Sequence, residues 1–352
     1  MNGEPLSKRG GGLSAERRVR WTKRAVLSRP AATPVLWKRS DGILDFIQFL
    51  VAVLAIFGSS VHAQTPLPTA TPAATDAPAL QPPPKARYRI AVCDWMILKR
   101  QKLGALQLTK DIGADGVEVD MGSLGERETF DSQLAKPEVR QQFLDEARRL
   151  NLEICSLAMS GFYAQSLATR PTVPRMVQDC IDTMRAMNVK VAFLPLGVLG
   201  DLVKHPELRP AIVERLRAAG KQAEKAGVVI GIETALDAAG EVQLLKDIGS
   251  PAIKSYFNFA NALQNGRDLH AELRTLGRDR ICQIHCTNED GVWLENDPKV
   301  DMPKVKQTLD EMGWSGWLVI ERSRDAKDGR NVKRNFGANA AYLKRVFQGS
   351  AP

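Results

Sequence analysis

The sequence predicts an α/β protein built as a closed (β/α)8 TIM barrel. Short apolar, β-branched runs alternate strictly with longer amphipathic runs, which is typical of a parallel sheet. The alternation occurs eight times within about 260 residues, the size expected of a closed barrel. The alternative is an open doubly wound sheet. It is disfavoured because Cys93-Asp94-Trp95 follows the first strand instead of a Gly-x-Gly-x-x-Gly turn.

The predicted strands are short and almost entirely apolar, as expected for strands buried on both faces. They are Tyr88 to Cys93, Gly116 to Asp120, Leu152 to Leu157, Val189 to Leu194, Val228 to Glu233, Ile253 to Phe257, Ile281 to His285 and Trp317 to Glu321. The fifth strand is the clearest, because its apolar run ends in a carboxylate. Since an unpaired buried charge costs several kcal/mol, we expect Glu233 to emerge into a polar site.

Amphipathic segments separate the strands. The clearest are Pro137 to Leu150, Val173 to Met187, Pro206 to Ala226, Met302 to Met312 and Asn331 to Phe347. Their ends carry helix start and stop signals. Pro137 and Pro174 lie in first turns, Asp301 is placed as an N-cap, and Gly227 and Gly313 follow last turns. These signals predict helices between the strands.

The chain before the barrel divides into a leader and a linker. Ile43 to Phe57 is an apolar run that follows a basic segment and precedes Ser60-Val61-His62-Ala63-Gln64, so residues 1–63 predict a signal peptide cleaved after Ala63. An uncleaved membrane anchor is the alternative. Residues 64–86 are rich in Pro, Ala and Thr and predict a disordered linker. The barrel should therefore span residues 87–348 of an exported, periplasmic or secreted protein.

Charge and cysteine content argue against two classes of protein. The net charge is +9, but residues 1–63 hold ten Lys and Arg against four Asp and Glu, leaving 39 against 36 elsewhere. The barrel is nearly balanced, so we expect no nucleic-acid partner. Five cysteines scattered in apolar segments do not form a disulfide framework and predict buried small side chains. Cys282 and Cys286 flank His285, but on a strand both point away from it. A cysteine-based zinc site is therefore disfavoured.

Polar side chains end four consecutive strands of the predicted barrel. They are Glu233, Asn258, His285 and Glu321. The carboxyl ends of the strands carry the function of such barrels, and neighbouring strands place these residues along one arc. Two carboxylates, an imidazole and an amide oxygen suit one divalent metal ion, such as Mn²⁺, Mg²⁺, Co²⁺ or Zn²⁺. The alternative is that they are satisfied polar residues at strand ends.

From about Arg87 to Phe347, the chain resembles the xylose isomerase-like TIM barrels, specifically the sugar phosphate isomerase/epimerase family. The motifs are Gly116-Val117-Glu118-Val119, Gly231-Ile232-Glu233, Tyr256-Phe257-Asn258-Phe259-Ala260-Asn261, Gln283-Ile284-His285, Val300-Asp301 and Gly316-Trp317-Leu318-Val319-Ile320-Glu321. The resemblance implies that the four strand-end residues bind the metal and that Glu233 and Glu321 also move protons. It further implies a hydroxy-carbonyl sugar that loses a proton beside its carbonyl to give a metal-stabilised enediolate.

The chain departs from this family at the sixth and seventh strands. Asn258 stands where the family usually has Asp, which removes one negative charge, so we expect weaker metal binding. Thr287-Asn288 replaces the usual Lys-Asp after His285. A set of further residues is predicted to bind substrate: Glu118, Asp120, Trp95, Phe162, Tyr163, Asn261 and Arg322. The alternatives are ion pairs for the two acids, packing within loops for the aromatic residues, and orientation of Glu321 for Arg322.

Three functions follow from these observations. The first is a metal-dependent isomerase or epimerase of a small carbohydrate, which would be unphosphorylated if the protein is exported. The second keeps the same enolisation but uses it in a lyase or hydrolase of keto-glycosides. The third is a sugar-binding barrel without catalysis. We expect no membrane contact after signal cleavage, and a homo-oligomer is compatible with the sequence.

Overall fold

The computed structural model describes residues 86–349, so the predicted signal peptide and almost all of the predicted linker lie outside the described residues. The strands are β1 Tyr88–Cys93, β2 Gly116–Asp120, β3 Glu153–Ala158, β4 Val191–Pro195, β5 Val229–Glu233, β6 Ile253–Asn258, β7 Ile281–His285 and β8 Gly316–Ile320. Each pairs in parallel with the next, and β8 closes on β1 with Tyr88 opposite Gly316. The predicted TIM barrel is confirmed.

Helices cover the outside of the barrel and follow the predicted segments closely. They are α1 Gly104–Ile112, α2 Pro137–Leu150, α3 Val173–Met187, α4 Arg209–Ala226, α5 Ala238–Ile248, α6 Phe259–Gln264, α7 Leu269–Leu276, α8 Met302–Glu311 and α9 Val332–Gln348. Asp301 caps α8 by accepting the Lys304 N–H at 3.1 Å. Gly227 ends α4 with a left-handed φ of 66°. No helix among the described residues is long and apolar enough to span a membrane.

Three strands begin one or two residues later than predicted, and the cause is the same each time. Leu152, Val189 and Val228 donate their backbone N–H groups to carbonyls in the last turn of the preceding helix, at 2.9, 2.8 and 3.1 Å. These bonds close the helix C-termini. The residues therefore complete helices before the chain enters the sheet, although their side chains are as apolar as those of the strands.

The barrel interior is a small cluster, separate from the core between sheet and helices. Its buried members are Ala91, Cys93, Cys155, Ala158, Phe193, Tyr256, Trp317 and Val319. Gly231 makes room for this layer, since a Cβ there would lie 2.5 Å from Cys282 Sγ and 3.0 Å from Tyr256 Cβ. The aromatic layer gives the polar residues at the strand ends a dry, rigid base.

Candidate active site

The structure brings the four polar strand-end residues together at the mouth of the barrel. Asn258 and His285 lie opposite each other in the β6–β7 ladder. Asn258 Nδ2 lies 3.0 Å from Glu233 Oε2 and 3.2 Å from Glu321 Oε2. His285 Nδ1 lies 3.3 Å from the same Glu233 oxygen and 4.0 Å from the same Glu321 oxygen. All four side chains are buried, so each polar atom depends on these neighbours.

Asn258 also caps the short helix that follows β6. Its Oδ1 accepts the backbone N–H of Ala260 at 2.9 Å. Because a backbone N–H can only donate, the side-chain oxygen must face Ala260 and the NH₂ group must face the carboxylates. Asn258 therefore enters the cluster as a hydrogen-bond donor, although its predicted role is that of a metal ligand.

His285 connects the strand-end cluster with a second carboxylate inside the barrel. Its Nε2 lies 3.1 Å from Glu118 Oε1, and Ser156 and Tyr256 donate to Glu118 Oε2 at 2.6 and 2.8 Å. Burial opposes protonation of His285, but Glu321, Glu118 and Glu233 outweigh it and raise the pKa of the imidazole to about 10. His285 is therefore charged at neutral pH and donates from both nitrogens.

Glu118 lies deeper in the barrel than we expected of a residue that contacts substrate. We expected Glu118 to face the substrate or to pair with a Lys or Arg, but its side chain has no exposed surface. It lies below His285 and orients the ring, as carboxylates commonly do for histidines at functional sites.

Cys93 is a site residue that the sequence did not reveal. It was expected to be a small hydrophobic side chain, but its Sγ lies 3.6 Å from Glu118 Oε1 and 3.7 Å from His285 Nε2. One donor atom from each of the three residues lies within 4.8 Å of the others, close enough for a common metal ion. Burial and the nearby Glu118 charge raise the pKa of Cys93 well above its usual value, so the group is a thiol. Cys93 and Glu118 are register partners on β1 and β2, a relation that the sequence alone does not show.

Tyr163 lies over both glutamates from the loop after β3. Its hydroxyl lies 3.3 and 3.5 Å from the oxygens of Glu233 and 3.4 Å from Glu321 Oε1. Burial and the two carboxylates raise the pKa of this phenol well above its usual value, so it remains a donor. Its ring rests on Phe193, with centroids 5.9 Å apart. Trp95 stacks on the same Phe193 at 6.4 Å.

Glu321 and Arg322 are fixed by a residue of the β7 loop. Thr287 Oγ1 accepts the backbone N–H groups of Glu321 and Arg322 at 3.3 and 3.0 Å. Arg322 Nε lies 3.8 Å from Glu321 Oε2, the orienting contact expected as an alternative for this arginine. Burial raises the pKa of Glu321, with His285 opposing and Glu233 reinforcing the shift. A functional role for Thr287 was not predicted.

A cavity of about 530 Å³ opens beside the carboxylates. Tyr163, Glu233, Asn261 and Arg322 line it together with the loop after β4. Asn261 donates to the Thr234 carbonyl at 3.0 Å, which fixes its side chain at the wall. Four residues from the predicted catalytic and substrate-binding sets thus share one concave surface.

Four of the seven predicted substrate residues do not line this cavity: Glu118, Trp95, Phe162 and Asp120. Phe162 is fully buried and packs edge-on against Phe130 at 6.3 Å, which is the loop-packing alternative. Asp120 has no exposed surface and accepts from the Ser160 hydroxyl and the Gly122 N–H, with Arg100 Nε at 3.6 Å. Through these contacts Phe162 and Asp120 each join the segment after β2 to the segment after β3.

The donor set does not fit the predicted four-ligand metal ion as it is arranged. Carboxylate oxygens of Glu233 and Glu321 face a common point, but both His285 Nδ1 and Asn258 Nδ2 direct N–H groups toward it. Rotating the Asn258 amide would break its bond to Ala260 and place two donors face to face. An unmade hydrogen bond of this kind costs about 1–3 kcal/mol.

A family model described as "Xylose isomerase-like TIM barrel" matches residues 106–346. A curated relative, the 2-epi-5-epi-valiolone 7-phosphate 2-epimerase of Actinoplanes sp., is 26% identical over 204 residues, covering 55% of this chain and 71% of the relative.

Solved structures share the fold at lower identity. D-psicose 3-epimerase with D-tagatose, from Clostridium cellulolyticum H10, has a TM-score of 0.59 and 14% identity, covering 74% of this chain and 99% of that chain. The 3-keto-D-glucoside 4-epimerase of E. coli, in its apo form, has a TM-score of 0.57 and 13% identity, and the match covers 73% of this chain and 99% of that chain. These likenesses show the fold.

Proposed function

Because the chain belongs to the xylose isomerase-like TIM barrel family, we propose that it is an isomerase or epimerase that moves a proton on the carbon beside a sugar carbonyl. One observation carries the proposal. Glu233 and Glu321 share two hydrogen-bond donors, Asn258 and Tyr163, next to the cavity. Two carboxylates at one point are what removal and return of a proton require.

The reaction needs no oxidant or reductant. One glutamate takes the proton from the carbon beside the carbonyl, and the C–H electron pair becomes the double bond of an enolate while charge moves to oxygen. The other glutamate, as the acid, returns a proton to a carbon of the enolate. Return to the same carbon from the other face restores the carbonyl and gives an epimer. Return to the former carbonyl carbon gives an isomer, because the proton of the neighbouring hydroxyl passes to the former carbonyl oxygen and a carbonyl forms at the neighbouring carbon. Each cycle ends with one carboxylate and one acid.

The developing charge on oxygen needs hydrogen-bond donors beside the carboxylates. Tyr163 and Arg322 line the cavity at that position, and we propose that they bind the carbonyl and a neighbouring hydroxyl. Arg322 offers a planar set of N–H donors, with 39% of its side chain exposed. Asn261 adds a polar group at the cavity wall. These contacts would hold a hydroxy-carbonyl sugar with its reactive carbon near Glu233.

We propose a small free sugar as the substrate. The cavity of about 530 Å³ is within the usual range for a small-molecule site. Related and structurally similar proteins are named as epimerases of valiolone phosphate, D-psicose and 3-keto-D-glucoside. The predicted signal peptide, if it functions, would place this chain outside the cytoplasm, where unphosphorylated sugars are the more available substrates.

Hydrogen exchange tests the proposal directly. The full chain would be incubated in D₂O with D-fructose, D-tagatose or D-psicose, and deuterium at the carbons beside the carbonyl followed by NMR. The wild type should incorporate deuterium into at least one of these sugars, and Glu233→Gln and Glu321→Gln should each lower the exchange rate by about 10²–10⁴-fold. Glu289→Gln, which removes an exposed carboxylate paired with Lys299, is the matched control. Full exchange in both site variants would exclude the glutamates as proton carriers, and sugar binding without exchange in the wild type would identify a binding barrel.

A second candidate is a lyase or hydrolase of keto-glycosides. The observation that favours it is the apolar rim of the cavity, where Val198 and Val203 are 65% and 59% exposed. An apolar aglycone could rest on this rim while the same enolate expels the glycosidic oxygen. Release of p-nitrophenol from a 3-keto p-nitrophenyl glucoside, lost in Glu233→Gln, would support this function over simple epimerisation.

A further inference from the structure

We propose that Asn258 takes the place of a divalent cation between Glu233 and Glu321, so that the chain holds its two glutamates together by hydrogen bonds. The part that concerns catalysis rests on the proposed function. The part that concerns metal binding rests on the geometry of Asn258 alone and is tested separately.

The first step is the position of the Asn258 amide nitrogen. Nδ2 lies 3.0 Å from Glu233 Oε2 and 3.2 Å from Glu321 Oε2, both ordinary lengths for an N–H bonded to a carboxylate oxygen. An amide NH₂ has two hydrogens, so one Asn258 can donate to both glutamates at once. It joins the two carboxylates in the way a shared cation would.

The orientation of the Asn258 amide is fixed by its contacts on both sides. Asn258 Oδ1 caps α6 through the Ala260 N–H at 2.9 Å, while Nδ2 faces the two glutamates. The reverse orientation would put the NH₂ group against a backbone donor and an oxygen against two carboxylates. Every contact of the side chain would then be unfavourable. The oxygen that a metal would need is therefore already committed to the helix.

Two other side chains, His285 and Tyr163, also place hydrogen-bond donors next to the carboxylates of Glu233 and Glu321. His285 lies 3.3 Å from Glu233 Oε2, and the Tyr163 hydroxyl lies 3.3 and 3.4 Å from Glu233 Oε1 and Glu321 Oε1. The two Oε2 atoms each have a protein donor, and the single Tyr163 hydroxyl hydrogen lies within reach of both Oε1 atoms and can bond one of them at a time. A cation could bind between the two glutamates only by displacing these donors, and Asn258 would not provide an oxygen ligand to it.

Metal titration of Asn258→Asp against the wild type tests this inference. Asp can cap Ala260 with one oxygen and present the other to the cluster, with an added negative charge. The full chain would be treated with EDTA, dialysed and titrated with Mn²⁺ by calorimetry, with metal content measured by mass spectrometry. We expect no stoichiometric Mn²⁺ in the wild type and at least about tenfold tighter, stoichiometric binding in Asn258→Asp.

Two further arms complete the design. Asn265→Asp places the same carboxylate on the exposed cavity rim and should not create a stoichiometric site. Deuterium exchange by the EDTA-treated wild type should match that of the untreated protein. If Asn258→Asp does not fold, the wild-type titration and this EDTA comparison decide the question.

The outcomes separate the inference from the proposed function. Stoichiometric Mn²⁺ binding by the wild type, with an affinity within tenfold of Asn258→Asp, would overturn the role of Asn258 and leave the proton transfer intact. Exchange that is lost with EDTA and restored by Mn²⁺ would also overturn it. A wild type that neither binds Mn²⁺ nor exchanges any sugar would support the role of Asn258 and refute the proposed enzyme activity.

Discussion

Both sides of the barrel mouth carry buried acidic residues, but the hydrogen-bond donors around them differ. On the β1–β2 side, Asp94 accepts the backbone N–H groups of Gln101 and Asp120 at 2.7 and 3.2 Å, and it has no exposed surface. On the β5–β8 side, the glutamates accept from side chains and adjoin the cavity. Backbone donors are part of a loop and cannot leave without unfolding it. Side-chain donors beside a cavity can turn to a substrate, so the donors and the cavity together distinguish the two glutamates from Asp94.

Neutralising one acid on each side should give the sharpest contrast. Glu233→Gln should lower the turnover number of deuterium exchange by about 10²–10⁴-fold, the usual contribution of a general acid or base. Asp94→Asn should leave the turnover number nearly unchanged but lower the free energy of unfolding by about 1–3 kcal/mol, because an amide NH₂ would face a backbone donor. Exchange kinetics and urea unfolding measure the two effects. A large loss of turnover in folded Asp94→Asn would break the distinction.

Glu241 extends the comparison to an acid outside the barrel. It lies in α5, fully buried, with Thr234 Oγ1 at 3.4 Å from its Oε2. Burial raises its pKa from 4.5 to about 7, and the Ser255 and Thr234 hydroxyls lower it only in part. Between these two values the folded state binds more protons than the unfolded state, so stability falls as pH rises through this window.

Replacing Glu241 by Gln should remove that pH dependence. At pH values above the folded pKa, Glu241→Gln should unfold at a higher urea concentration than the wild type, with a gain of up to about 3 kcal/mol. Below the unfolded pKa the two proteins should differ little. Glu289→Gln, a change of an exposed side chain, should show neither effect. Equal stability of Glu241→Gln and wild type across the whole pH range would contradict the assigned shift.

The fold could be predicted from the sequence because it depends on hydrophobic pattern alone. Eight apolar strand segments alternate with amphipathic helix segments along the chain. This alternation indicates where the carboxyl end of each strand lies. The convergence of Glu233 and His285 follows in turn, because a closed barrel brings the carboxyl ends of its strands together at one mouth. The amide orientation of Asn258 could not be predicted, since it depends on one hydrogen bond to Ala260. The same holds for Cys93, whose neighbours depend on strand register.

Glu118 tests whether a buried acid can act through another residue. It contacts His285 Nε2 at 3.1 Å and does not line the cavity. Glu118→Gln should lower the turnover number by about 10–100-fold, the equivalent of one hydrogen bond to a charged group. It should also lower the pKa of His285 from about 10, since a neutral amide no longer favours the imidazolium. NMR titration of His285 measures this shift, and a purely structural role for Glu118 would leave the pKa unchanged.

Tyr163 should give the smallest effect, because its contacts are the longest in the cluster. Its hydroxyl lies 3.3–3.5 Å from the glutamate oxygens, so Tyr163→Phe should lower the turnover number by roughly two- to tenfold, the worth of one modest hydrogen bond. The ring should keep its place on Phe193, and stability should hardly change. Phe162→Leu is the matched control, since the neighbouring ring is fully buried and should affect unfolding more than turnover. If Tyr163→Phe lost deuterium exchange entirely, the Tyr163 phenol would be a proton carrier like the two glutamates. A side-chain donor beside the cavity would then take part in proton transfer as well as orient the carboxylates.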